Sequence, residues 1–93
     1  MKLKLGKKTY DTGALKGSVL WESMEFEDLL KKETTPLKQL NMMAENVIKL
    51  YGNQFTIEDI QDGLSADEVW ATLNSQCFGV GIKLQEKIQP KNE

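Results

Sequence analysis

The chain has 93 residues, of which 40% are hydrophobic and 28% charged, with a formal net charge of −2. That is enough for one domain burying about two-thirds of its unfolded surface, and the composition excludes disordered and fibrous classes. No apolar run reaches the ~18 residues of a membrane span, and Met1-Lys2-Leu3-Lys4-Leu5 leads into Gly6-Lys7-Lys8 instead of an apolar signal core, so the expectation is a cytoplasmic protein with no membrane association.

Charge is unevenly spread. Residues 1–16 carry five lysines against Asp11, whereas residues 17–82 carry four lysines against eleven acids. A basic end and an acidic middle suggest head-to-tail self-association as one use of the surface. Every basic residue is lysine. Without arginine's planar fork to read guanine and phosphate, and with an acidic middle, nucleic-acid recognition is not expected. The lone Cys77 has no partner for an internal disulfide and reads as a buried small hydrophobe.

In chain order, Lys2-Leu3-Lys4-Leu5 alternates, Gly6-Lys7 is a turn, and Lys8 to Thr12 is β-compatible, which predicts a hairpin over about residues 1–12 with Leu3 opposite Tyr10. An isolated hairpin is marginal in water, so Leu3, Leu5 and Tyr10 are expected to pack on a helix. Beyond Gly13 to Gly17, Ser18 is the expected cap of a helix reaching about Lys32, with an imperfect apolar face of Val19, Leu20, Met24, Phe26, Leu29 and Leu30. Trp21 lies off that stripe, as core or as an exposed contact.

Thr35-Pro36 predicts a cap followed by proline at the first helical position. Leu37, Leu40, Ala44, Val47, Ile48 and Tyr51 then make the cleanest amphipathic run, closed by Gly52-Asn53. Met42 falls outside that line and is the methionine expected at the surface. Thr56 with Asp59, and Ser65 with Glu68, each read as a capping box, bracketed by the staples Phe55/Ile60 and Leu64/Val69. The two short helices they start meet at Gly63. The second is expected to run to about Phe78 with Val69, Trp70, Leu73 and Cys77 on its inner side, where Gly79-Val80-Gly81 weakens helix formation. The fold class is therefore mainly α: a small N-terminal β-hairpin packed on a bundle of about four helices, one domain over residues 1–80, with 81–93 a partly ordered or mobile tail and Pro90 to Glu93 frayed.

Chemistry is hard to place on this sequence. It contains no histidine, which removes Ser-His and Cys-His catalysis and histidine metal sites. Asp59 and Asp62, or Glu58 and Asp62, share a helix face but read as caps and dipole partners, not an acid/base pair. Glu58 to Gly63 lacks the oxygen spacing and the distant glutamate of a calcium loop, and Gly79-x-Gly81 lacks the rest of a phosphate loop. A helix-turn-helix reading fails because the recognition helix would open on Asp67 and Glu68. A carrier-protein reading fails because Asp62-Gly63-Leu64-Ser65 has glycine where the modified serine belongs. No catalytic residue, cofactor or metal is expected. A binder of apolar helices remains, with Met24, Met42 and Met43 as adaptable side chains and a generic acidic helical adaptor as its plainest form.

The run Met1-Lys2-Leu3-Lys4-Leu5-Gly6-Lys7-Lys8-Thr9-Tyr10, a helical middle, and then Val47-Ile48-Lys49-Leu50-Tyr51-Gly52-Asn53-Gln54-Phe55-Thr56-Ile57-Glu58-Asp59-Ile60-Gln61-Asp62-Gly63-Leu64-Ser65 together resemble the tail assembly chaperones of siphophages and prophages of Gram-positive bacteria, over roughly residues 1–80. The resemblance implies a non-catalytic protein, absent from the finished virion, that coats the tape measure protein and keeps it soluble while tail tube protein polymerises around it. It further implies self-association and, in many members, a longer frameshifted product, which here would diverge within residues 79–93. Trp21, Met42, Trp70 and Phe78 are the expected contact residues, with Trp70 and Phe78 also readable as core.

Overall fold

The computed structural model describes residues 1–88, with side-chain surroundings through Gly79; the expected fraying of Pro90 to Glu93 lies outside the described residues. Strands β1 (Lys2–Leu5) and β2 (Lys8–Asp11) form an antiparallel hairpin in which Leu3 faces Tyr10, as the alternation predicts. Gly6 takes the left-handed conformation of the turn at φ 63°. Helices α1 (Ser18–Lys32), α2 (Pro36–Leu50), α3 (Ile57–Gly63) and α4 (Val69–Ile88) follow, so the fold is the expected mainly α architecture with an N-terminal hairpin.

Leu3 and Leu5 project from one side of β1 into the core, where they join Met43, Ala44, Val47 and Tyr51 of the α2 segment, Phe55 and Ile60 around the start of α3, and Leu73 and Cys77 of α4. β1 lies on α3, and α2 packs chiefly against α4. The aromatic rings interlock at this junction. Tyr10 meets Phe55 edge-on at 4.9 Å, and Tyr51 lies 5.3 Å from the same ring. The outer side of Tyr10 is covered by Lys8, whose Nζ sits 5.1 Å from the ring centroid.

At Gly63 the backbone of α3 reaches β1. The Gly63 carbonyl accepts a 3.0 Å hydrogen bond from the Gly6 amide, and a Cβ at Gly63 would lie 2.7 Å from Leu5 Cβ and 2.8 Å from Leu5 Cα. Only a residue with no side chain permits that approach. A polar bridge completes the seam: the Tyr51 hydroxyl donates to Gln76 Oε1 at 2.6 Å, and Gln76 Nε2 donates to the Lys2 carbonyl at 3.0 Å. Thus α2, α4 and β1 are tied through one glutamine.

The helix ends follow local rules unevenly. Thr56 forms a complete capping box with Asp59. At Ser65 only half of the box forms: its amide donates to Glu68, while its hydroxyl turns to Asp67 at 2.6 Å, holding that carboxyl below its usual range. Gly17, not Ser18, is the N-cap of α1, and it offers no side-chain oxygen. Thr35 has the extended backbone of a cap but makes no side-chain capping bond. Gly52 and Asn53 close α2 with positive φ.

Two further expectations are corrected. α4 continues through Gly79-Val80-Gly81 to Ile88; each glycine costs a helix about 1 kcal/mol, a penalty without the stopping power of proline. The apolar faces of α1 and α2 are also narrower than the spacing suggested. Met24, Leu29 and Leu37 are exposed, and the one fully buried residue of α1 is Ser23.

Candidate functional site

The four expected contact residues lie in three places. Trp70 and Phe78, two turns apart on α4, come together along a groove of about 310 Å³ between α1, α2 and α4. Its floor includes Leu30 of α1 and Met43 of α2, and its rim Glu27, Lys31, Gln39 and Asn74. Phe78 lies 6.2 Å from Phe26, ring centre to ring centre, and so helps to seat α1 on α4. Trp70 is 42% exposed and Phe78 half-buried.

Met42 is half-buried, not the surface methionine expected, and lines a second recess of about 260 Å³ with Phe26, Glu45, Asn46 and Lys49. Its neighbour Met43 is fully buried. Trp21 belongs to neither recess. It stands 70% exposed on the far side of α1, flanked on one edge of that face by Met24 at 50% and on the other by Leu29 at 57%.

Leu30, expected on the apolar face of α1, and Met43, expected among the adaptable methionines, line the main groove although neither was an expected contact residue, and Asn74 lines it without having been singled out in sequence. Leu30 falls four residues from Phe26, and Met43 four before Val47, so both obey the helical spacing that marks an inner face. Asn74 gives no such signal. The exposure of Leu29 and Leu37 is likewise invisible to a count of apolar positions.

The reactive-looking groups are quiet. Cys77 is fully buried, its Sγ 3.5 Å from the Met43 carbonyl. Burial pushes its thiol up to about 11, only partly offset by the Asn46 side chain, which would hydrogen-bond the thiolate. A thiol so protonated packs and does not attack. Among the described residues no three His, Cys, Asp or Glu side chains gather where a metal ion could be held, and no described helix is long and apolar enough to cross a membrane.

The surface carries two recesses and several exposed apolar side chains. A family model described as Phage tail chaperone protein matches residues 1–93, the whole chain. The chain belongs to the phage tail chaperone family. No curated protein and no solved structure matches it. The large apolar side chains exposed among the described residues are Trp21, Met24 and Leu29 of α1, Leu37 of α2 and Trp70 of α4.

Proposed function

We propose that this tail chaperone binds the tape measure protein and keeps it soluble while the tail tube assembles around it, acting in many copies and without chemistry. The observation that carries the reading is the amount of apolar surface left outside a complete core. Trp21, Leu37, Leu29, Met24 and Trp70 are all between 42% and 70% exposed on a chain of 93 residues. Scattered exposed apolar residues are ordinary, but large ones on three helices of so small a chain, Trp70 lining the groove and the others outside it, suit the capture of apolar helical stripes.

The same reading gives the charge pattern a use. Lys2, Lys4, Lys7 and Lys8 are exposed on the hairpin, and Glu58, Asp59, Asp62, Asp67 and Glu68 on and after α3. Copies arranged head to tail along a partner would set one surface against the other and remain soluble through the acids left over. The protein would work in the cytoplasm of the bacterial host and be absent from the mature virion, with tail tube protein as a second contact.

The test is co-expression with the tape measure protein of the same genome, followed by affinity purification and light scattering. Soluble tape measure carrying many copies of the chain is the expected result. An insoluble tape measure beside a chain that elutes alone as a monomer, with expression of both verified, would discard the reading.

A further inference from the structure

α1 divides its apolar residues between an inner arc and an outer face. At ~100° per residue, Val19, Phe26 and Leu30 surround the buried Ser23 on the inner arc, and Trp21 projects almost diametrically opposite to them. Trp21, Met24 and Leu29 are all at least half exposed, and Glu22, Glu25 and Asp28 lie exposed among them. The result is an outer face about two turns long on which Trp21 is central, Met24 and Leu29 lie on opposite flanks, and carboxylates stand between them, with basic residues, Lys31 and Lys32, only in the last turn.

We propose that this outer face of α1 is a docking strip for a basic amphipathic helix, lysine or arginine flanking an apolar ridge, supplied by the client protein. Charge complementarity selects the partner's sign. Trp21 supplies a large, stiff anchor and the acids around it the rim, the distribution that gives interfaces their central hot spots. A second copy's hairpin has the right charge but the wrong body: Leu3 and Leu5 are buried, and Tyr10 is half-buried beneath Lys8. It brings nothing apolar to cover Trp21. The proposal rests on the chaperone reading for the helical nature of the client, and its first test uses model peptides in the client's place.

Two labelled peptides of about 18 residues, long enough to form helix on contact, share leucines at three- and four-residue spacing and differ in carrying lysine or glutamate elsewhere. Fluorescence anisotropy reads binding to the full chain. In Trp70→Phe, where Trp21 is the one tryptophan left, its emission reads burial of the strip. The Leu/Lys peptide is expected to bind, shift Trp21 emission to the blue, and weaken as salt rises. Trp21→Ala should weaken it more than tenfold, and the triple variant Glu22→Gln, Glu25→Gln, Asp28→Asn by roughly tenfold. Glu58→Gln with Asp62→Asn, on α3, should leave it within about twofold.

Equal binding of the Leu/Glu peptide, equal loss in the α3 variant, or unmoved Trp21 emission would overturn the proposal. So would a concentration-dependent blue shift of Trp21 without peptide, which would mean that a second copy occupies the strip. Undiminished recovery of soluble tape measure by Trp21→Ala would also overturn it while leaving the chaperone reading standing.

Discussion

α1 and α2 are helices of equal length, 15 residues each, with opposite fates. α2 buries Met43, Ala44 and Val47, and with Tyr51 beyond its end it supplies four of the ten core residues among those described. α1 buries only Ser23 and holds to the body through half-buried Phe26 and Leu30. Helical stability comes largely from packing an amphipathic face. The contrast therefore separates a helix that makes the fold from one that rides on it with its surface free for contact.

The comparison breaks most sharply at Val47. With the side chain wholly enclosed, Val47→Asp strands a carboxylate in the core and is expected to cost more than ~4 kcal/mol, abolishing the folded far-UV signal. The same change at Leu29 on α1 should leave that signal intact. If Val47→Asp folded with a normal urea midpoint, the division of labour between the helices would be wrong.

Gly63→Ala is next. The added methyl meets Leu5 backbone and Cβ at under 3 Å, a clash that forces α3 and β1 apart and should cost about 1–3 kcal/mol by chemical denaturation. Gly17→Ala, where a Cβ meets nothing within 4 Å, is the matched control and should shift stability by no more than about 0.5 kcal/mol.

Tyr51 then sharpens the comparison through pH. Burial, reinforced by the charge of Asp11, raises its phenol from the ordinary 10 to about 12. The folded state holds this proton where the unfolded chain has released it, so the contribution to stability is complete below pH 10 and is lost as pH rises towards 12. Cys77, raised from 9 to about 11, adds loss of the same sign from pH 9 upward. Tyr51→Phe should be less stable at neutral pH by about 1 kcal/mol, through loss of the bond to Gln76, yet show a shallower fall between pH 10 and 12. Melting curves across that range decide it; an identical slope in both proteins would remove Tyr51 from the alkaline limb.

The smallest effect is expected at Trp21, whose replacement by alanine should move stability by no more than about 0.5 kcal/mol. A larger loss in thermal melts would mean that α1 is structural after all.

How far these differences were legible depended on how local their causes are. The hairpin register, Pro36 at a helix start and the Thr56–Asp59 box are settled by residues within a few positions of one another, and each was readable. The inner arc of α1 was not. Val19, Leu20, Met24, Phe26, Leu29 and Leu30 cover so much of the helix circumference that periodicity does not choose a face, and only contact with α2 and α4 selects the arc centred on Ser23. Gln76 was missed for a related reason: an isolated polar residue on a helix gives no hint that it joins Tyr51 to Lys2. Where the four expected residues fall in the fold was legible only in part. Trp70 and Phe78 share a groove because they lie two turns apart on one helix, whereas the separation of Trp21 from them is set by tertiary packing.

The seam between Leu5 and Gly63 also orders events during synthesis. β1 leaves the ribosome well before α3 exists to receive it, and a two-stranded hairpin by itself is marginal in water. Leu3 and Leu5 therefore stay uncovered until Gly63 has emerged, and the Lys2 carbonyl waits longer still for Gln76. The first strand made is among the last to be closed in, so a nascent chain halted before α3 carries a half-finished protein with its stickiest strand outermost.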